Sequence, residues 1–126
     1  MTHRLGLAVG LVLMAWGLVP VATPALGQAE QLTGPEIAAT LAGRTVKGDD
    51  WLQHFHADGR TAYSQDARDS LGRWSVRGDQ YCSQWPPSEA WECYHMVAET
   101  KDGETVLVWI DGAGTLTAGR LVPRSE

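Results

Sequence analysis

Histidine is the residue type in this sequence that is best suited to chemistry. His54 and His56 are two positions apart, so in an extended strand both imidazoles project from the same face, close enough to bind one metal ion. A zinc site needs three or four ligands, and His95 would have to contribute from another strand. This pattern predicts a metal-binding protein or enzyme that holds Zn or Cu. The alternative interpretation is that these imidazoles are solvated on an exposed strand face and bind no cofactor.

Tryptophan, with 6 residues in a chain of 126, is the second residue type that could form a site. Large flat rings line pockets for apolar or sugar ligands, and they also fill the interior of a small barrel. Trp74 and Trp109 lie in strongly patterned segments, which predicts core positions. Trp85 and Trp91 flank the Pro86-Pro87 turn, and we expect them at a barrel mouth, where they would form a surface for a ligand or a protein partner.

Signatures of catalysis are weak. The serines lie outside any nucleophile-elbow context, and the histidines show no chain order typical of a catalytic triad. The glycine-rich segment 111–115 joins two predicted strands and lacks the lysine and the helix that a phosphate-binding loop needs. We therefore expect a protein without catalytic activity.

Charge and composition narrow the class of partner. The formal net charge is -5, and clustered Lys and Arg that could neutralise phosphates are absent, which argues against a nucleic-acid partner. Hydrophobic residues make up 44% of the chain and charged residues 20%. This composition is typical of a folded domain rather than of a disordered tail or a multi-span membrane protein.

The N-terminus has the pattern of a secretory signal peptide over residues 1–29. Residues 5–19 contain no charge, follow a basic residue and precede prolines and small residues, and cleavage is expected after Gly27 or after Ala29. A helical run of this length is shorter than the roughly 30 Å hydrocarbon core of a bilayer, so we expect no stable membrane span after cleavage. The predicted location is periplasmic or secreted, with residues 30–126 as a single β-rich domain.

Export also decides how the two cysteines are interpreted. An oxidising compartment lets thiols pair, and the CxxC spacing typical of a redox site is absent. We therefore predict a disulfide between Cys82 and Cys93. The enclosed segment contains Pro86-Pro87, a stiff turn that would bring two neighbouring strands together.

One short helix is predicted near the start of this domain. Thr33 and Glu36 have the spacing of a capping box. Ile37 and Leu41 form one apolar stripe, and Gly43 suits the left-handed residue that ends a helix. A helix of about two turns is too short to be stable alone, so it must pack on the rest of the fold.

Beyond the helix the hydrophobic period changes towards two, and turn residues recur about every ten positions. Short turns between consecutive strands favour an antiparallel up-and-down meander, whose apolar side chains must be hidden by curling the sheet. The predicted fold is therefore mainly β, with seven to eight strands curled into a small barrel or half-barrel and one short N-terminal helix; a flat sandwich is the alternative. The predicted strands are 44–48, 51–56, 60–65, 72–77, 80–85, 91–98, 104–110 and 115–122.

Two of these segments carry more detailed expectations. If Gly78-Asp79 is a two-residue hairpin turn, Val76 lies opposite Tyr81. Segment 105–110 has apolar residues on both faces, so we expect it to be the most buried strand.

Three different short motifs follow one another along the chain. An LTGxEI helix opening lies at 32–37, a GxWxV strand at 72–76, and a GDxxC hairpin at 78–82, with a second cysteine downstream. This order resembles a group of small exported proteins of Gram-negative bacteria, and the similarity covers most of the chain beyond the signal peptide. The resemblance implies an exported β-rich fold. It transfers no catalytic residue, because the shared motifs are structural.

These patterns predict an exported binding or interaction module built on a β-barrel-like domain. Its partner would be a small molecule or an envelope protein, with Trp85 and Trp91 as the contact surface. The alternative is a metal-binding protein or enzyme that uses His54, His56 and His95.

Overall fold

The fold is described by a computed structural model that covers residues 29–124 together with Gly17. Apart from Gly17 and Ala29, the predicted signal peptide lies outside the described residues. Within them the chain forms one helix and nine strands, and no helix is long and apolar enough to cross a membrane. The elements are β1 (Glu30–Gln31), α1 (Gly34–Leu41), β2 (Arg44–Lys47), β3 (Trp51–Phe55), β4 (Arg60–Gln65), β5 (Arg68–Arg77), β6 (Gln80–Gln84), β7 (Trp91–Lys101), β8 (Glu104–Ile110) and β9 (Leu116–Leu121).

Eight of the strands close into a barrel. Each strand from β2 to β8 pairs antiparallel with the next strand in the chain, and β9 pairs back with β2. The short β1 is added beside β7, with Glu30 opposite Ala98. The predicted β meander curled into a barrel is therefore confirmed, and the ring is closed rather than a half-barrel or a flat sandwich.

The helix α1 packs against one end of the barrel. Its predicted capping box is present, because the Thr33 hydroxyl accepts from the Glu36 amide and the Glu36 carboxylate accepts from the Thr33 amide at 3.1 Å. Gly43 has the predicted left-handed backbone, with φ 73°. The Asp79 carboxylate accepts a hydrogen bond from the Gly34 amide at 2.8 Å. This bond ties the start of the helix to the hairpin turn between β5 and β6.

Close-packed apolar side chains fill the end of the barrel under α1. Ile37 and Leu41 of the helix are fully buried. The Phe55 ring lies 5.7 Å from Trp74 and 6.3 Å from Trp109 between ring centroids. Trp74 and Trp109 are 7% and 6% exposed, which confirms their predicted core positions.

The β5–β6 hairpin has the predicted register, whereas β8 is less buried than expected. Val76 lies opposite Tyr81, as predicted from the turn. In β8 the inward Leu107 and Trp109 are buried, but the outward Val108 is partly exposed, and β6 has the larger buried share. The prediction that 105–110 is the most buried strand is wrong, because the outer face of a single-layer barrel is covered by no second layer.

The predicted disulfide joins β6 to β7. Cys82 lies directly opposite Cys93, with Cα atoms 4.1 Å apart, and Cys82 is fully buried. In the loop-entropy model a bridge between residues 11 positions apart stabilises the fold by about 3 kcal/mol. The bond therefore fixes the register of these two strands near the end of the barrel that α1 leaves uncovered.

Gly34→Ala tests how closely α1 approaches the barrel. A Cβ atom at position 34 would meet the carbonyl oxygen of Gly78, whereas a Cβ atom at Gly112 would meet nothing within 4 Å. We expect Gly34→Ala to lower the free energy of unfolding by about 1–3 kcal/mol, the usual cost of overpacking. The control Gly112→Ala should change it by less than about 0.5 kcal/mol. Urea denaturation followed by circular dichroism measures both values, and equal midpoints would contradict the close contact.

Candidate ligand cavity

The barrel is open at the end opposite α1, and its interior there contains a cavity of about 580 Å³. Four loops surround this mouth, at 48–50, 66–67, 85–90 and 111–115. The volume lies within the range of about 300–1,000 Å³ that is typical of small-molecule sites. Six aromatic side chains contribute to the wall: Trp51, Tyr63, Tyr81, Trp85, Tyr94 and Trp109.

The rings nearest the mouth touch one another in a continuous series. Trp51 stacks on Tyr63, with 5.9 Å between ring centroids and 21° between ring planes. Tyr63 in turn meets Trp85 edge to face at 5.9 Å, and Trp51 meets Trp109 edge to face at 6.2 Å. Aromatic pairs at these separations attract each other beyond the effect of burial. Each ring therefore helps to fix the orientation of the next.

Two glycines make room for the tryptophans of the wall. A Cβ atom at Gly72 would lie 2.6 Å from the Trp85 ring, and a Cβ atom at Gly119 would lie 2.8 Å from the Trp51 ring. Gly119 faces the interior, opposite the buried Leu107. Without side chains at these positions, both indoles can lie against the backbone and leave the centre of the mouth open.

The floor of the cavity holds a buried polar group among aromatic rings. Tyr81 lies 6.1 Å from Trp109 and 6.0 Å from Tyr94 between ring centroids. The Gln53 side chain, which is 8% exposed, donates from its amide nitrogen to the hydroxyls of Tyr81 at 3.3 Å and Thr61 at 3.0 Å. Its carbonyl oxygen accepts no hydrogen bond from the described residues. This oxygen is available to a donor on a ligand.

Burial keeps the phenols of the floor neutral. It raises the pKa of Tyr81 to about 12, against the smaller opposing effect of hydrogen bonds with Ser83 and Gln53. Burial also raises the pKa of Tyr94 to about 12, and the Glu92 carboxylate raises it further because it accepts a hydrogen bond from the Tyr94 hydroxyl at 3.0 Å. Both phenols therefore stay neutral hydrogen-bonding groups into the alkaline range in which an ordinary tyrosine ionises.

The wall carries little charge, and that charge is negative. Asp69 is the one charged side chain among the described residues that line the cavity. Burial raises the pKa of Tyr63, and the nearby carboxylates of Asp50 and Asp66 raise it further. An anionic ligand would meet no positive side chain along this wall, so the cavity suits a neutral or positively charged molecule.

The two tryptophans expected at the mouth lie on opposite faces of the barrel wall. Trp85 turns inward, lines the cavity and donates from its indole nitrogen to the Ser83 hydroxyl at 3.2 Å. Trp91 lies opposite Gln84 on the outward face, and the Arg77 guanidinium is 4.5 Å from its ring centroid. The structure therefore places one of the pair in the cavity and the other on the outer surface.

The three histidines are not brought together. His54 and His56 lie side by side, with ring centroids 4.6 Å apart. His95 is on β7, and its ring nitrogens are in hydrogen-bond contact with Gln31 at 3.4 Å and Gln80 at 3.2 Å. The described residues contain no group of three or more His, Cys, Asp or Glu side chains that could hold a metal ion.

Several cavity residues were not identified as site residues from the sequence. Gln53 carries the clearest signal that could have found it, because it alternates with Trp51 and Phe55 along one strand. A polar residue at an inward position between two aromatic residues indicates a buried hydrogen-bonding group. Tyr63 has no such signal, since its role depends on rings from other parts of the chain.

Comparison of this chain with protein-family models, with curated proteins and with solved structures finds no match.

The raised pKa values predict how the protein behaves in alkali. Folded-state values near 12 for Tyr81 and Tyr94, above the unfolded value of about 10, mean that the native phenols keep protons that the unfolded chain loses. Stability is therefore expected to fall as pH rises from about 10 towards 12. While the circular dichroism remains native, phenolate absorbance should show that Tyr81 and Tyr94 do not ionise near pH 10. Reversible ionisation of all 3 tyrosines near pH 10 in the folded protein would contradict their burial.

Proposed function

We propose that this protein is a non-catalytic binding module that holds a small organic molecule with a flat apolar body inside its barrel. The observation that carries the proposal is the cavity of about 580 Å³ bounded by aromatic rings at the uncovered end. A protein that needed only a stable core would fill this space, because interior voids cost stability. Small inward residues such as Ser70 and Thr117 keep it open instead.

The size of the barrel fits this role. Eight strands enclose an interior that is either filled by side chains or just wide enough for one small ligand, as in lipocalins. In this barrel one half of the interior is filled by side chains and the other half is open to a ligand. Phe55 and Leu41 fill the end under α1, while Trp51 and Trp85 line the open end.

The chemistry of the wall favours a flat, mostly apolar ligand that carries one polar substituent. Indole and phenol rings such as Trp51 and Tyr63 offer faces and edges against which a planar ligand can stack. The unpartnered oxygen of Gln53 offers one fixed point for a polar group. Such a combination of apolar wall and few polar anchors is typical of small-molecule sites.

The proposed setting is the periplasm or the exterior of the cell. The signal-peptide pattern of residues 1–29 supports it. The disulfide between Cys82 and Cys93 also supports it, because such bonds persist in oxidising compartments. The ligand would then be a molecule that the cell meets or handles outside the cytoplasm.

Two neighbouring residues on β9 provide a matched test of the cavity. Thr117 and Ala118 are both exposed, but only Thr117 lines the cavity, whereas Ala118 is on the outward face. We expect the neutral fluorescent probe N-phenyl-1-naphthylamine to bind the parent protein saturably. Thr117→Trp should weaken binding by roughly tenfold, because the new indole occupies space at the mouth, and Ala118→Trp should leave it unchanged.

A fluorescence titration gives the Kd for each variant, and circular dichroism verifies that each one is folded. Absence of saturable binding to the parent protein would contradict the proposal. Equal weakening by the inward and outward tryptophans would also contradict it, because the probe would then bind outside the cavity.

A further inference from the structure

We propose that the ligand of this cavity is an organic cation, a protonated amine attached to a flat apolar body. This inference rests on the proposed function, since it assigns the charge of the molecule that the same cavity holds. It is carried by three features: the carboxylates around the mouth, the unpartnered acceptor on the floor and the aromatic faces of the wall.

Carboxylates are contributed by every loop around the mouth. None of the four loops contains Lys or Arg. On the adjoining strand ends Asp69 and Glu92 lie together with Lys47 and Arg68, so acidic side chains outnumber basic ones around the mouth. Charges of one sign around a cleft with low-dielectric walls reinforce one another and concentrate ligands of the opposite charge. The acidic residues within the loops are Asp49, Asp50, Asp66, Glu89 and Asp111.

These carboxylates have no cationic side chain within ion-pair distance in the part of the chain that the structure describes. The ion pairs found there join Arg60 to Asp58 at 2.7 Å and Arg120 to Glu104 at 3.3 Å. Both pairs lie at the α1 end of the barrel. Two carboxylates at the α1 end, Asp58 and Glu104, are therefore paired with cations, whereas none of the carboxylates in the mouth loops is paired in this way with a described residue.

The negative potential of the mouth extends into the cavity. Burial raises the pKa values of Tyr63 and Tyr94, and nearby carboxylates raise them further, with Asp50 acting on Tyr63 and Asp111 on Tyr94. A carboxylate does this by disfavouring a second negative charge close to it. The potential that opposes a phenolate also opposes an anionic ligand and stabilises a cationic one.

The floor of the cavity offers an acceptor to an N–H group. Gln53 is 8% exposed, and the two bonds from its amide nitrogen, to Thr61 and Tyr81, fix the orientation of the side chain. Its carbonyl oxygen, which accepts no bond from the described residues, is a group that a protonated amine can satisfy. A carboxylate or sulfonate on a ligand has no proton to donate to it.

The aromatic wall favours the same charge. The faces of indole and phenol rings are negative, and a cation within about 6 Å of a ring centroid is attracted to them. Trp51, Tyr63 and Trp85 line the cavity at the end of the barrel where the acidic loops lie. A protonated amine between them would be stabilised by ring faces and carboxylates together, while its apolar body stacks on the wall.

The test compares three ligands with one naphthalene body and different charges. At neutral pH 1-naphthylmethylamine is a cation, 1-naphthalenemethanol is neutral and 1-naphthaleneacetate, the carboxylate of 1-naphthaleneacetic acid, is an anion. In isothermal titration calorimetry at low ionic strength, we expect the amine to bind the parent protein roughly tenfold more tightly than the alcohol, and the acetate to bind more weakly than the alcohol.

A pair of double variants separates the mouth from the overall charge of the protein. Asp50→Asn with Asp66→Asn removes two charges at the mouth, and Glu99→Gln with Asp102→Asn removes two at the α1 end. Asn tolerates the left-handed backbone of Asp66 and Asp102, with φ 51° and 52°. We expect each charge removed at the mouth to weaken amine binding about twofold, so the mouth variant should bind the amine about fourfold more weakly. The control variant should bind it as the parent protein does.

The outcomes distinguish this inference from the proposed function. The inference of a cationic ligand is supported if the protein prefers the amine over the alcohol, and if this preference falls in the mouth variant but persists in the control variant. If the alcohol or the acetate binds as tightly as the amine, or more tightly, the inference that the ligand is a cation is overturned, while the proposed binding function stands. Amine binding that falls equally in both double variants also overturns it, because the preference would then come from net charge. Absence of saturable binding for all three ligands overturns both proposals.

Discussion

Closing an eight-stranded sheet into a ring sets the width of its interior, and the inward side chains must either fill that width or leave it open. Under α1 the inward positions carry large groups, such as Phe55 and Met96, and the barrel is solid there. Towards the other end the inward residues next to the aromatic rings are small, as at Gly72, Ser83 and Gly119. The cavity therefore follows from the order of side-chain sizes along the strands, within a ring whose width is already fixed.

The chemistry of the cavity depends on the same closure. Trp51 and Trp85 belong to distant parts of the chain, and they are linked only because Tyr63 lies between them on a neighbouring strand. The acidic loops likewise come from four separate hairpins, and the ring brings them around one mouth. In an open, flattened sheet these rings and charges would be spread along an edge, and neither an enclosed wall nor a focused potential would form. The charge and shape proposed for the ligand are thus properties of the closed barrel.

Features set by short spacing along the chain, including pairing within a hairpin, were predictable from the sequence, whereas features that depend on contacts between distant parts of the chain were not. The helix start at Thr33 and the pairing of Val76 with Tyr81 follow from local spacing, so both were predicted correctly. Trp85 and Trp91 flank the same turn, yet one faces inward and the other outward, because strand alternation on each side of the loop decides the face. The short β1 was missed because two residues carry no alternation, and apolar residues on both faces of β8 suggested burial that a single-layer wall does not provide.

The indole N–H signals of the tryptophans test most directly whether the open half of the barrel is the ligand site. In a proton–nitrogen correlation spectrum, adding N-phenyl-1-naphthylamine should shift the signals of Trp51, Trp85 and Trp109, which line the cavity. The signals of Trp74, in the packed half, and Trp91, on the outer face, should stay in place. Shifts confined to Trp91, or of equal size for all of these indoles, would contradict a ligand site inside the barrel.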